Sequence, residues 1–120
     1  MYSAPVLDHF ERPRNAGAVE SPDATAQLEN PVCGDILQLT LKIADGRIND
    51  ARFRAKGCVP AIACGSALTE LLRGRTLAEA RALRREDLAE VLGELPQASA
   101  HAAQLALDTL AAALKEVAGS

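Results

Sequence analysis

Leu37, Leu39, Leu41 and Ile43 alternate with Gln38, Thr40 and Lys42, the period-two pattern of a strand that buries one face and wets the other. After Asp45-Gly46, a pair suited to a tight turn, Ala51, Phe53 and Ala55 repeat the pattern, so residues 35 to 55 are expected to form an antiparallel hairpin. Directly opposed residues in a hairpin share a face, and burial therefore selects the register. Centred on Gly46, the hairpin sets Leu37 against Ala55, Leu39 against Phe53 and Leu41 against Ala51. Shifted by one residue, it would set the same leucines against Arg54, Arg52 and Asp50. Only the first register closes an apolar face. Extended past the strand ends, it places Cys33 opposite Val59 and Cys58 opposite Gly34, so two cysteines distant in sequence become neighbours.

Helical periodicity frames this hairpin. Ser3 is placed to cap a short amphipathic helix running to Glu11 and ended by the Pro13 region, whereas residues 12 to 34, rich in Pro, Asn, Gly and Ala, read mostly as loop. After Cys58 the period becomes helical. Pro60 suits a first turn, and Ala61, Cys64, Leu68, Leu71 and Leu72 share a face, predicting a helix to about Arg73 that Gly74 stops. Thr76 caps a short helix to about Leu83, and residues 86 to 92 support another before the Gly93 and Pro96 break. Ser99 caps the last helix, whose expected apolar face is Leu107, Leu110, Leu114 and Val117.

Composition narrows the class. The 120 residues are 48% hydrophobic and 24% charged, as expected of one soluble globular domain spanning residues 1 to 120. With only Tyr2, Phe10 and Phe53 aromatic, the core must be aliphatic. Acidic residues outnumber basic ones for a net charge of −3, and no stretch interleaves Lys and Arg with aromatic platforms, which argues against a nucleic-acid partner. The apolar runs are too short to span a membrane. The opening MYSAPVLDHF has no basic n-region or apolar h-region, so a cytoplasmic location is expected. Thiols stay reduced there, and the three cysteines read as ligands, reactive groups or core fillers rather than as disulfides.

Chemistry concentrates where the hairpin register brings cysteines together. In Cys33-Gly34-Asp35, positions two apart project to one side, so a thiol and a carboxylate point the same way. Cys58 directly precedes a helix start, where the dipole and free N–H groups are expected to lower its pKa. His101 lies near the start of the last helix, on the side of Leu105 and Asp108, as the candidate fourth donor. Two thiolates, a carboxylate and an imidazole make a tetrahedral set for zinc or iron. Each cysteine alone is more often a small buried residue, and it is their convergence beside Asp35 that points to a site. Cys64 shares the apolar face of Leu68 and Leu71 and reads as core packing, and His9 as a local packing or capping group. No phosphate-binding loop, serine-hydrolase elbow or H-E-x-x-H pair is present.

The segments DHFERPRNAG, NPVCGDILQLTLKI and INDARFRAKGCVPAIACGSALTELLRGRTLAEA together resemble the NifU/IscU-type iron-sulfur cluster assembly scaffold family over nearly the whole chain. The resemblance implies an α+β fold, a two-layer α/β sandwich with a small antiparallel sheet and helices on one face. It implies a scaffold with no turnover chemistry, which takes sulfur from a cysteine desulfurase, holds a transient [2Fe-2S] cluster and passes it to apo-proteins. Carried across by position, the family's ligand cysteines are Cys33 and Cys58, its cluster-labilising aspartate is Asp35 and its histidine is His101. The chain departs from the pattern at Ala102, where the family has a third cysteine. The chaperone-recognised LPPVK segment reads Leu95-Pro96-Gln97-Ala98-Ser99, a departure that leaves a chaperone a doubtful partner. With one sulfur ligand fewer, three readings stand side by side: a cluster scaffold or carrier, a mononuclear zinc- or iron-binding relative with a regulatory role, and a metal-free interaction protein.

Overall fold

The structure is a computed structural model, and it describes residues 2–93 and 99–117. Its elements in chain order are helix α1 (Ala4–Glu11), strands β1 (Ala24–Glu29), β2 (Ile36–Ala44) and β3 (Arg47–Lys56), then helices α2 (Val59–Leu72), α3 (Leu77–Arg81), α4 (Arg85–Leu92) and α5 (Ala100–Lys115). The strands form one antiparallel sheet in the order β1-β2-β3. Helices α2 and α5 pack on this sheet, and α1 and α4 pack against α2, giving the expected α+β arrangement.

The register chosen by burial holds through the core: Leu37 pairs with Ala55, Leu39 with Phe53 and Leu41 with Ala51. All six side chains face the helices, and the three leucines are essentially inaccessible. Nearer the turn the expectation needs correction. Asp45 and Gly46 both have positive φ, +52° and +73°, so the turn has two central residues rather than one. Ile43 therefore pairs with Ile48 while Lys42 pairs with Asp50, and Asn49 is the extra residue of a bulge that restores the core register.

Two further expectations are refined. Residues 12 to 34 are mostly loop, but the segment holds an unexpected strand: Ala24–Glu29 forms β1 along the free edge of β2, pairing Ala26 with Leu39 and Leu28 with Leu37. Its inward positions, Ala24, Ala26 and Leu28, do alternate, but alanine has low strand propensity and hides the pattern. On α5 the buried stripe is Ala102, Ala103, Leu105, Ala106, Thr109, Leu110, Ala113 and Leu114, with Leu107 and Val117 only partly covered. Leu110 and Leu114 are in this stripe as expected, and alanines supply half of it, so the contact face is built as much from small residues as from leucine. Ser99 does occupy the N-cap position of α5, but its side chain makes no capping hydrogen bond.

The other caps are as expected. The Ser3 hydroxyl accepts the Val6 N–H at 3.2 Å and donates to the Leu92 carbonyl, tying α1 to the end of α4. Thr76 and Glu79 form a reciprocal capping box at α3, and Gly74, with φ +87°, follows the end of α2.

Helix α2 is the centre of the fold, buried on nearly every side. At Gly65 a β-carbon would lie 2.6 Å from Phe53 Cδ2 and 3.1 Å from Leu37 Cδ1, so helix and sheet touch at backbone distance. Cys64, beside it, is fully buried in the core, and burial pushes its thiol up to about 12. On the opposite side, buried His9 of α1 holds α2 through Nδ1 to the Ser66 hydroxyl at 2.7 Å and Nε2 to Glu70 at 3.4 Å. The Ser66 oxygen also accepts the Arg14 N–H at 2.8 Å, which leaves its own proton for His9 Nδ1.

Two expected outcomes follow from this packing. Gly65→Ala gains about 1 kcal/mol of helix propensity but must displace the buried Phe53 ring, an overpacking cost of about 1–3 kcal/mol. Denaturant unfolding is therefore expected to show net loss, and a gain in stability would contradict the close approach. Burial first, and then Arg14, hold the His9 pKa below its ordinary 6.5, so on acidification the unfolded chain takes up the proton first. This contribution is complete above about pH 6.5 and is lost as pH falls below it. Melting temperatures between pH 7.5 and 5.5 are expected to fall more steeply in the parent than in His9→Gln, and parallel profiles would refute the assignment.

Candidate metal site

At the end of the sheet where β2 begins and β3 ends, the chain turns back on itself through residues 30 to 34. The Gly34 N–H donates to the Asn30 carbonyl at 2.7 Å and the Asn30 N–H to the Asp35 carbonyl at 2.8 Å, closing a turn that carries Cys33 outward. Gly34 takes φ +74°, a conformation glycine adopts without strain. The strand ladder stops at Ile36 and Lys56, so the expected rungs Cys33–Val59 and Gly34–Cys58 do not form. The cysteines meet instead through a side chain that both reach.

That side chain is Asp35, which is 4% exposed. Its Oδ2 accepts from Cys58 Sγ at 3.0 Å and from Cys33 Sγ at 3.3 Å, while its Oδ1 accepts the Cys58 N–H at 3.2 Å. Burial pushes the carboxyl upward, but the hydrogen bonds from the Cys58 thiol, the Cys33 thiol and the Cys58 N–H together hold it below the usual range. It is therefore an anion lodged between two thiols. His101, exposed on the first turn of α5, completes the cluster: donor atoms of Cys33, Asp35 and His101 all lie within 4.8 Å of one another. All four residues singled out in the sequence thus converge, with Cys58 joined through Asp35.

The expected pKa of Cys58 is corrected. It stands at the N-cap of α2 as predicted, yet its thiol is pushed up, first by burial and then by the Asp35 carboxylate, which accepts its proton and repels its charge. The Ala61 N–H pulls the other way and loses. A helix N-terminus favours a thiolate only where no anion already occupies the same ground. The structure also adds two features that the sequence pattern did not single out. Val32, next to Cys33, is 93% exposed, and Gly57 lies against Asp35 with φ +150°. The signal for Gly57 was its place at the end of β3, immediately before Cys58.

Ala102, where the resemblance calls for a third cysteine, is buried beside exposed His101. Residues 95–98 of the segment compared with the chaperone motif lie outside the described residues. Among the described residues no helix is long and apolar enough to cross a membrane.

Comparison with known proteins agrees with this architecture. The model of the NifU-like N-terminal domain matches residues 1–119. The chain is 44% identical over 114 residues to the iron-sulfur cluster assembly scaffold protein IscU 1 of Archaeoglobus fulgidus, covering 95% of this chain and 74% of that protein. It is 42% identical over 119 residues to the iron-sulfur cluster assembly scaffold protein IscU of Escherichia coli K12, covering 96% and 92%. The crystal structure of a nitrogen-fixing NifU-like protein (N-terminal) from Brucella abortus superposes with a TM-score of 0.78 at 22% identity, covering 96% and 92%, a likeness of fold. With a family match over almost its full length and relatives above 40% identity, the chain belongs to the NifU-like N-terminal domain family.

Proposed function

We propose that this protein is an iron-sulfur cluster assembly scaffold that receives iron and sulfur at Cys33, Asp35, Cys58 and His101, holds a transient [2Fe-2S] cluster and hands it to apo-proteins. The observation that carries the reading is the Asp35 carboxylate engaged by both thiols, with His101 inside the same cluster. The scaffold names of its relatives support it.

The donor set suits a cargo that must be both held and released. Two cysteines supply the soft ligands that iron-sulfur clusters require, and an imidazole can stand in for a thiolate at one iron. Both thiols donate hydrogen bonds to Asp35, and replacing those contacts by bonds to iron releases protons. Asp35 can accept those hydrogen bonds in the empty site or offer a hard, weakly held oxygen to iron in the loaded one. The chemistry needs no turnover at the protein itself. One of the two cysteines accepts sulfane sulfur from a cysteine desulfurase as a persulfide, and an external two-electron donor reduces that sulfur to the sulfide of the cluster and returns the thiolate. The assembled cluster leaves when acceptor thiolates replace the ligands. The exposure of Cys33 and Cys58 supports access by protein partners.

Anaerobic reconstitution with iron, sulfide and a cysteine desulfurase tests the proposal. Visible absorbance of a bound cluster is expected in the parent and should be abolished in Cys33→Ala and in Cys58→Ala; stoichiometric zinc with no cluster formation would sink it. Ala102→Cys restores a third sulfur beside His101, and the cluster absorbance is expected to persist severalfold longer after transfer to air. An unchanged lifetime would mean that a thiol at position 102 does not reach the cluster.

A further inference from the structure

Asp35 and Gly57 fall on the rung that would follow the Ile36–Lys56 pair at the end of β2 and β3. A β-carbon built on Gly57 would lie 2.2 Å from Asp35 Oδ1, 2.6 Å from Cγ and 3.0 Å from Cβ. The first two distances are far inside van der Waals contact, about 3.5–4.0 Å between carbons. The Asp35 side chain therefore occupies the space that any side chain at position 57 would take. Its Oδ1 is held by the N–H of the very next residue, Cys58, while Oδ2 takes both thiols. Lifting the carboxylate off the Gly57 backbone would break all three hydrogen bonds at once.

We propose that Gly57 is a positioning residue for Asp35: the space left by its missing side chain is the seat that keeps the carboxylate across Cys33 and Cys58. The interlock stands on geometry alone, and only its consequence for metal rests on the scaffold reading above. Gly57 also has φ +150°, which strains any L-residue placed there whatever its neighbours. Strain and collision are separable, because strain belongs to position 57 alone whereas the collision needs Asp35. Asp35→Ala removes the two closest contacts and leaves only the 3.0 Å one.

The test is a double-mutant cycle on the metal-free full chain: parent, Gly57→Ala, Asp35→Ala and the double variant. Gly57→Ala is expected to lower the melting temperature by roughly 5–10 °C in the parent and by less than half as much in the Asp35→Ala background. Should Gly57→Ala alone not fold, recovery of folded protein in the double variant supports the interlock, and failure of both variants overturns it. Titration with Co²⁺ alone, read by its thiolate charge-transfer absorption, supplies a second readout. Affinity should fall about tenfold in Gly57→Ala and no further when that change is added to Asp35→Ala. Equal melting costs in both backgrounds, with Co²⁺ affinity unchanged by Gly57→Ala, would assign the effect to backbone strain and overturn the proposal. If the parent itself takes up no Co²⁺, the scaffold reading fails, while the melting cycle still decides the interlock.

Discussion

The pairing of Leu37 with Ala55 and of Leu39 with Phe53 is the constraint on which the rest of the molecule depends. A slip of one residue would turn the leucines to water and carry Asp35 to the opposite face of the sheet from the core. In the observed register Asp35 immediately precedes β2 on its inward side, directly at the point where β3 ends and α2 begins. The same pairing that buries the core thus delivers a carboxylate to the start of a helix, within reach of the Cys58 N–H and thiol. Core and site are two ends of one ladder, and the bulge at Asn49 keeps that ladder in step despite a turn that would otherwise displace it.

The second organising feature is the depth of α2. Gly65 lets the helix rest against Phe53 and Leu37, Cys64 and Leu68 fill the layer beneath, and His9 with Ser66 closes the far side. A helix so confined holds its N-terminus still, and Cys58 is at that N-terminus. Preorganisation of the site therefore draws on packing several residues away as well as on contacts within the cluster itself. The electrostatics follow the same logic: helix start, thiol and buried carboxylate compete over one small volume, and the carboxylate prevails, leaving Cys58 a protonated donor.

Much of this was legible in the sequence because it rests on local rules. The leucine alternation, the Asp45-Gly46 turn, the caps at Ser3 and Thr76 and the helical phase of Cys64 each express a preference the chain carries within a few residues. What was not legible involved small residues. Alanine in β1 and along α5 carries little intrinsic signal for strand or for a buried face, and its role appears only when a partner surface lies close enough to need it. Leu107 shows the converse, since its hydrophobicity suggested burial while the close approach of the alanine stripe leaves it half covered.

The sequence by itself determined that Cys33, Asp35 and Cys58 would come to one end of the hairpin, because strand register is periodic and can be counted from residue to residue. Helix position made His101 a candidate donor, and the family resemblance added it to that group. Tertiary structure decided how they meet. The ladder ends at Ile36 and Lys56, the chain turns through Gly34, and the thiols are joined by the Asp35 carboxylate instead of facing each other across a rung. It also decided that Cys58 is held protonated and that Gly57 lies under the carboxylate. These outcomes depend on distances of about 3 Å between groups from separate segments, summed over burial, charge and excluded volume, and such sums exist only once the chain has folded.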